Sequence, residues 1–119
     1  MATASARRAP EDPDVQLSLR DAHSKLGDAL LANGEDATGE YRTALAIATR
    51  VFATNTSADW QEAVADGHTK LGDALRARRD PAARGEYEAA FTTATALAKR
   101  DPHNASWKRK LDELRVKLH

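Results

Sequence analysis

A six-residue string, Lys-Leu-Gly-Asp-Ala-Leu, occurs twice in this chain, at residues 25–30 and again at residues 70–75. Two identical hexapeptides 45 residues apart in a chain of 119 indicate an internal repeat, and such repeats are typical of stacked supersecondary units. Matched residues continue on both sides at offsets of 45 to 47. The further matched pairs include Gln16 with Gln61, His23 with His68, Tyr41 with Tyr87 and Trp60 with Trp107. The chain therefore holds two full units and the first helix of a third.

Each unit is predicted to contain two helices. The apolar residues of the first segment recur at spacings of three and four, which places them on one helical face. This face comprises Val15, Leu19, Ala22, Leu26, Ala29 and Leu30, and it repeats as Trp60, Val64, Gly67, Leu71, Ala74 and Leu75. The same spacing runs through the second helix of each unit and through a last helix with Trp107, Leu111, Leu114 and Leu118. No segment alternates as a strand does, so we expect five helices and an all-α fold.

Capping residues stand at the predicted helix ends. Asp12-Pro13 and Asp80-Pro81 each place a capping acid before a proline, which is a common helix start. Asn33-Gly34 predicts a helix stop, because glycine adopts the left-handed conformation without strain. Ser57 and Asn104 are the predicted N-caps of the third and fifth helices.

Two glycines, Gly27 and Gly72, lie in the middle of predicted helices. Glycine there costs about 1 kcal/mol relative to alanine, so a compensating contact is expected. We predict that the partner helix approaches closely at these points, with Tyr41 or Tyr87 as the neighbour.

These residues resemble the tetratricopeptide repeat. The family pattern has Leu-Gly late in the first helix, Tyr in a run of small residues in the second, and a closing Asp-Pro-x-Asn. The standard unit has about 34 residues, and this one is about eleven longer. The longer form is similar to a bacterial subclass reading roughly Trp-Gln…Leu-Ser…His-x-Lys-Leu-Gly-Asp-x-Leu, a pattern spread here over Trp60-Gln61, Val64, His68 and residues 70–75. The first unit has Val15 where Trp is expected.

The resemblance implies a right-handed α-solenoid of antiparallel helix pairs. Residues 1–11 are expected to be a flexible tail, and residues 12–119 a single helical domain. Within it, repeat one spans about 13–56, repeat two about 57–103, and a capping helix about 104–118. Val15 in place of Trp leaves the first end less protected, which is a reason to expect self-association.

In this family the first helix of each unit lines a concave groove. The resemblance assigns to the groove Asp21, Ser24, Asp28 and Leu31 from unit one, and Asp66, Thr69, Asp73 and Arg76 from unit two. Some family members grip a peptide carboxylate with groove Lys and Asn residues, and this chain has none at the matching positions. The resemblance therefore implies a protein or peptide partner with a basic or amide-rich segment.

A simpler interpretation of the groove aspartates stays open. Asp21 and Lys25, like Asp66 and Lys70, have the i,i+4 spacing of surface ion pairs, worth a few tenths of a kcal/mol each. In that case the aspartates are ordinary charges on a solvated helix face.

The repeated histidines do not suggest a metal site. A helical metal pair needs ligands at i and i+3 or i+4, and the residues at those distances after His23 are Leu26 and Gly27. A polar contact between paired helices is the expected role of His23 and His68.

Composition excludes several classes of function. The chain has no cysteine, no glycine-rich phosphate loop and no hydrolase elbow, so we expect neither catalysis nor a cofactor nor a metal. No apolar run is long enough for a membrane span or a signal peptide, so a cytoplasmic protein without a membrane partner is expected.

The zero net charge conceals an asymmetry along the chain. Residues 1–75 hold 7 Lys or Arg against 12 Asp or Glu, whereas residues 76–119 hold 11 against 6. Ordinary solvated surface is one explanation, and head-to-tail homo-oligomers through oppositely charged ends are the alternative function. Nucleic-acid binding by the basic end is disfavoured, because Trp60 and Trp107 occupy core positions rather than stacking positions.

Overall fold

The computed structural model describes residues 12–119, which form five helices and no strand. The helices are α1 (Pro13–Ala32), α2 (Thr38–Phe52), α3 (Ala58–Ala77), α4 (Ala83–Arg100) and α5 (Ala105–Leu118). The prediction of five helices and an all-α fold is confirmed for this part of the chain. The expected flexible tail, residues 1–11, lies outside the described residues.

Three of the predicted helix starts are confirmed and one is displaced. The side chain of Asp12 accepts from the Asp14 amide, Ser57 Oγ from the Trp60 amide, and Asn104 Oδ1 from the Ser106 and Trp107 amides. Asp80 does not cap α4 directly. Its carboxylate accepts from the Ala82 amide at 2.9 Å, so Asp80 and Pro81 form a turn and the helix begins at Ala83.

The first and third helices end in the same way with different residues. Gly34 follows α1 with a φ of +75°, and the Glu35 amide donates to the Leu30 carbonyl at 2.8 Å. Arg79 takes the place of Gly34 after α3 with a φ of +57°, and the Asp80 amide donates to the Leu75 carbonyl at 2.9 Å. These are the bonds of a Schellman stop, as predicted for Asn33-Gly34.

Successive helices pack against one another along the chain, α1 on α2, α2 on α3, α3 on α4 and α4 on α5. The two mid-helix glycines lie at close contacts, as predicted. A Cβ atom on Gly27 would lie 2.5 Å from Tyr41 Cε1, and one on Gly72 would lie 2.7 Å from Tyr87 Cε1. The missing side chain therefore makes room for the ring of the paired helix.

In each helix pair, a buried glutamine near the start of the first helix bonds an arginine near the end of the second. Gln16 Oε1 accepts from Arg50 Nη2 at 3.0 Å, and Gln61 Oε1 accepts from Arg100 Nη1 at 2.9 Å. Both glutamines are buried, and a buried amide needs such a partner to avoid a desolvation cost. The repeated pair Gln16 and Gln61 thus has a structural role.

The core runs between the helices and is rich in alanine. One cluster joins α2, α3 and α4 around Tyr41, Leu71 and Tyr87, and a second joins α2 and α3 around Val51 and Trp60. The last helix covers α4 with a buried leucine and two half-buried ones. These are Leu114, Leu111 and Leu118, as predicted.

The apolar face of α1 is more exposed than the matching face of α3. Leu19 and Leu26 are 44% and 51% exposed, whereas the matching Val64 and Leu71 of α3 are 7% and 3% exposed. The reason is that α2 covers this face of α3, and no element within residues 12–119 covers it on α1.

Candidate functional site

Lysines join the first helices of successive units. Lys70 Nζ on α3 donates to Ser24 Oγ at 2.9 Å and to the Asp28 carboxylate at 3.1 Å on α1. Lys117 Nζ on α5 donates to Asp73 Oδ1 on α3 at 2.9 Å. Lys117 is the repeat equivalent of Lys70. The same bond is therefore made at the first junction between units, α1 with α3, and at the second, α3 with α5. Three of the predicted groove residues, Ser24, Asp28 and Asp73, take part in it.

The two aspartates of these bonds are also held by the paired helix. Tyr41 donates its hydroxyl to Asp28 Oδ1 at 2.6 Å, and Tyr87 donates to Asp73 Oδ1 at 2.6 Å. Each carboxylate therefore binds both its own helix pair and the next unit. This arrangement leaves Asp28 and Asp73 with internal partners.

These contacts shift the pKa values of the groups. Partial burial alone would raise the pKa of Asp28, but hydrogen bonds from Tyr41 and Lys70 outweigh it and lower the pKa below the ordinary 3.8. Burial, and then the bond to the neighbouring carboxylate, raise the pKa of Tyr41 and of Tyr87. Both phenols stay protonated and donate at neutral pH.

The other predicted groove residues have contacts of several kinds. Asp21 accepts from Arg20 Nη2 at 2.5 Å, Asp66 accepts from Lys110 Nζ at 2.9 Å, and Thr69 donates to its own helix at the Ala65 carbonyl. Leu31 packs against the core, and the Arg76 guanidinium lies 5.7 Å from the centre of the Tyr87 ring.

The i,i+4 pairing expected for Asp21 with Lys25 and for Asp66 with Lys70 is not formed. Asp21 pairs with Arg20, Asp66 with Lys110, and Lys70 with Asp28. A neighbouring helix offers Lys70 two acceptors, Ser24 and Asp28, and a single exposed i,i+4 pair is weak.

An open cleft of about 500 Å³ lies between α1 and the first half of α3. Leu17 and Arg20 line it from α1, and Trp60 and Ala63 line it from α3. The remaining lining residues are polar and mostly acidic: Asn55, Ser57, Asp59, Glu62 and Asp66.

The corresponding place between α3 and α5 is closed by side chains. There the Trp107 indole donates to Glu62 Oε2 at 2.9 Å, and Lys110 bonds Asp66. Burial alone would lower the pKa of Lys110, but Asp66 and Glu62 outweigh it and raise the pKa, so this lysine stays charged. At the first junction Leu17 stands at the repeat position of Glu62, and Ala63 at that of Lys110. Neither can make these bonds, and the cleft stays open.

Arg20 is the basic group of the cleft. Its Nη2 bonds Asp21, and its Nε is buried without a hydrogen-bond partner among residues 12–119. A second cavity of about 130 Å³ is also lined by Arg20, together with Ser24 and Lys70. Buried guanidinium nitrogens are usually satisfied, and this Nε is an exception that a ligand in the cleft does not reach.

Sequence reasoning did not find the cleft residues Leu17, Arg20, Trp60 and Ala63. The signal was present in the alignment of the units. Leu17 differs in character from Glu62 where most neighbouring positions agree. Ala63 differs from Lys110 in a stretch where Glu62 and Arg109 differ as well, so the alignment marks only the first of the two departures.

The repeated histidines join paired helices, as predicted. His23 Nδ1 lies 2.8 Å from Glu40 Oε1, and His68 Nδ1 lies 2.8 Å from Glu86 Oε1. No group of three or more His, Cys, Asp or Glu side chains within residues 12–119 could hold a metal ion.

No protein-family model, curated protein or solved structure matches this chain. The resemblance to the tetratricopeptide repeat therefore stays a prediction. Across the described residues, each helix is too short or too polar to cross a membrane.

Proposed function

We propose that this chain is a protein-interaction scaffold of the tetratricopeptide type, a right-handed solenoid of helix pairs. It binds an extended peptide segment of a partner protein along the face formed by α1, α3 and α5. One apolar side chain of that peptide enters the cleft between α1 and α3. The observation that supports this proposal is the difference between the two junctions, one open and one filled by Trp107 and Lys110.

The chemistry of the cleft favours a basic peptide. Leu17, Trp60 and Ala63 give it an apolar floor, on which a partner side chain gains about 25 cal/mol for each Å² buried. Asp59, Glu62 and Asp66 surround that floor. Glu62 and Asp66 are shared with Lys110, so Asp59 carries most of the attraction for a lysine or arginine beside the anchor.

The predicted groove set takes on divided roles in this proposal. Asp28 and Asp73 hold the units together through Lys70 and Lys117. Of the predicted groove residues only Asp66 lines the cleft, and there it is paired with Lys110. The scaffold performs no catalysis and uses no cofactor.

The cleft can be closed with a residue from the second junction. In Ala63→Lys, the new lysine stands where Lys110 stands one unit later and can bond Asp21, as Lys110 bonds Asp66. Because Ala63 is only 7% exposed and a buried charge costs stability, circular dichroism and a thermal melt must first show that the variant is folded. It should lose binding to short immobilised peptides that carry one apolar residue between lysines.

The matched control is Ala96→Lys, which adds the same charge at an exposed position of α4. It should bind the peptide array like wild type. Equal binding by Ala63→Lys and wild type would remove the cleft from the function, and a preference of wild type for acidic peptides would contradict the proposed chemistry. Head-to-tail assembly through the charged ends stays a prediction, as does a cytoplasmic location.

A further inference from the structure

One face of α1 carries apolar residues that no other described element covers. We call this face the α1 stripe; it consists of Val15, Leu19, Ala22, Leu26 and Ala29. Leu19 and Leu26 are about half exposed, at 44% and 51%. Single exposed apolar residues are ordinary, but a continuous apolar stripe along a helix marks a contact surface.

Because of the internal repeat, α3 carries an equivalent stripe, and there the stripe is covered by another helix. The equivalent residues of α3 are Trp60, Val64, Gly67, Leu71 and Ala74, and all are buried except the half-buried Gly67. The cover is α2, which contributes Tyr41, Ile47, Ala48 and Val51 to the shared clusters. The molecule therefore shows what kind of element packs on this face.

We infer that the α1 stripe is a docking surface for an amphipathic helix of a partner protein, which packs on α1 as α2 packs on α3. The partner helix carries alanine and branched aliphatic residues at spacings of three and four, as α2 does. This surface is separate from the peptide cleft, because the cleft residue Leu17 lies on the opposite side of α1.

The α1 stripe has Ala22 where α3 has Gly67, and this difference limits which side chains the partner helix can carry at that point. A Cβ atom at Gly67 would lie 3.0 Å from Leu45 Cδ1 and 3.3 Å from Leu45 Cα. Ala22 stands at the position of Gly67 and has that Cβ atom. A leucine in the place of Leu45 would therefore be crowded at its Cδ1 atom. Because the contact with Cα remains for any residue, the partner helix carries a small residue there and lies slightly farther from α1.

A second copy of the chain offers its own α1 stripe, but its other helices provide no face of this kind. Its α2 and α4 each pack between two neighbouring helices. The outward residues of its α5 include Lys108, Asp112 and Arg115, which are exposed and charged. These faces do not complement the apolar α1 stripe. Pairing of two α1 stripes would lack the α2-like helix that covers the equivalent face of α3, so a helix from a different protein is the occupant that we infer.

The probe for this surface is a synthetic peptide of residues 36–55, the α2 segment, with Leu45→Ala. It would be titrated into the ¹⁵N-labelled full chain, and amide shifts would be followed by NMR. We expect saturable shifts confined to α1 and its neighbouring loop, and weaker binding of the peptide that keeps Leu45. In the chain, Leu19→Lys with Leu26→Lys should weaken binding at least about tenfold, since two apolar contacts are lost.

The control is Val116→Lys, which changes an apolar residue that is 76% exposed on α5 and should leave binding unchanged. Circular dichroism would confirm that the exposed substitutions preserve the fold. Three outcomes would overturn the inference: no shifts at millimolar peptide, shifts on α3 from exchange with the native α2, or a dimer of the chain itself that the two lysines abolish. The last would make a second copy the occupant.

Discussion

Two glycines allow the close helix contacts of this fold at the scale of single residues. Gly72 faces the ring of Tyr87, which is 2% exposed and cannot move aside, and Gly27 faces Tyr41 in the same way. Glycine lowers the helix propensity at these positions, but it leaves room for Tyr41 to bond Asp28 and for Tyr87 to bond Asp73.

For Gly72→Ala we expect a clear loss of stability. The new Cβ would lie 2.7 Å from the Tyr87 ring, and such overpacking costs about 1–3 kcal/mol. That exceeds the gain of about 1 kcal/mol in helix propensity. The matched control is Gly85→Ala, where nothing lies within 4 Å, so the melting temperature should hold or rise. Equal thermal melts for the two variants would show that the helices do not meet at Gly72.

Arg79 is a further residue whose backbone conformation affects the free energy of unfolding. Its φ of +57° is left-handed, which costs a residue with a side chain about 1–2 kcal/mol. Arg79→Gly should raise the free energy of unfolding by about 0.5–1 kcal/mol, after the larger unfolded-state entropy of glycine is subtracted. Arg79→Ala removes the same charge and keeps the strain, so in urea unfolding it should show no such gain. If both variants gained unfolding free energy equally, the cause would be the lost charge and not the backbone conformation.

At the scale of the helices, hydrogen bonds to one carboxylate hold neighbouring helices together. Asp28 joins α1 to α2 through Tyr41 and to α3 through Lys70. Its pKa is lower in the folded chain than the ordinary 3.8. A lowered carboxylate pKa gives stability that is present above about pH 4 and is lost as the pH falls through the folded value.

Asp28→Asn should therefore lower stability at neutral pH, and its difference from wild type should shrink below pH 4. Chemical unfolding at a series of pH values would measure this difference. Lys70→Met removes one of the partners that lower this pKa and should weaken the same pH dependence. A difference that stays constant from neutral to acidic pH would mean that the Asp28 carboxylate is not held in this way.

The helices and their contacts were predictable from the sequence to different extents. The repeat and its caps predicted five helices, and the mid-helix glycines predicted their tyrosine neighbours. Local spacing could not predict the bonds of Lys70, because its acceptors Ser24 and Asp28 lie more than 40 residues away. The cleft was missed for a related reason. It follows from what differs between two junctions, and only a three-dimensional comparison shows that Trp107 and Lys110 close the second.

At the scale of the whole molecule, as far as residues 12–119 describe it, α5 closes one end of the helix stack and α1 leaves the other end open. Leu114 on α5 is 3% exposed and contacts the main cluster. Leu114→Ala should cost about 2–5 kcal/mol, a large fraction of the 5–15 kcal/mol typical of a domain. Val116→Ala, on the exposed side of the same helix, should change the melt little. Similar losses in both would mean that α5 contributes through helix formation rather than packing.

The most direct test of the cleft uses the two tryptophans of the chain. Trp60 lines the open cleft, whereas the Trp107 indole is bonded to Glu62. The ¹⁵N-labelled chain would be titrated with a short peptide of one leucine between lysines, and the two indole N–H signals followed by NMR. The account predicts that the Trp60 signal shifts with saturation, that the Trp107 signal moves much less, and that Ala63→Lys abolishes the change. Peptide binding that leaves the Trp60 signal in place, or that Ala63→Lys preserves, would contradict it.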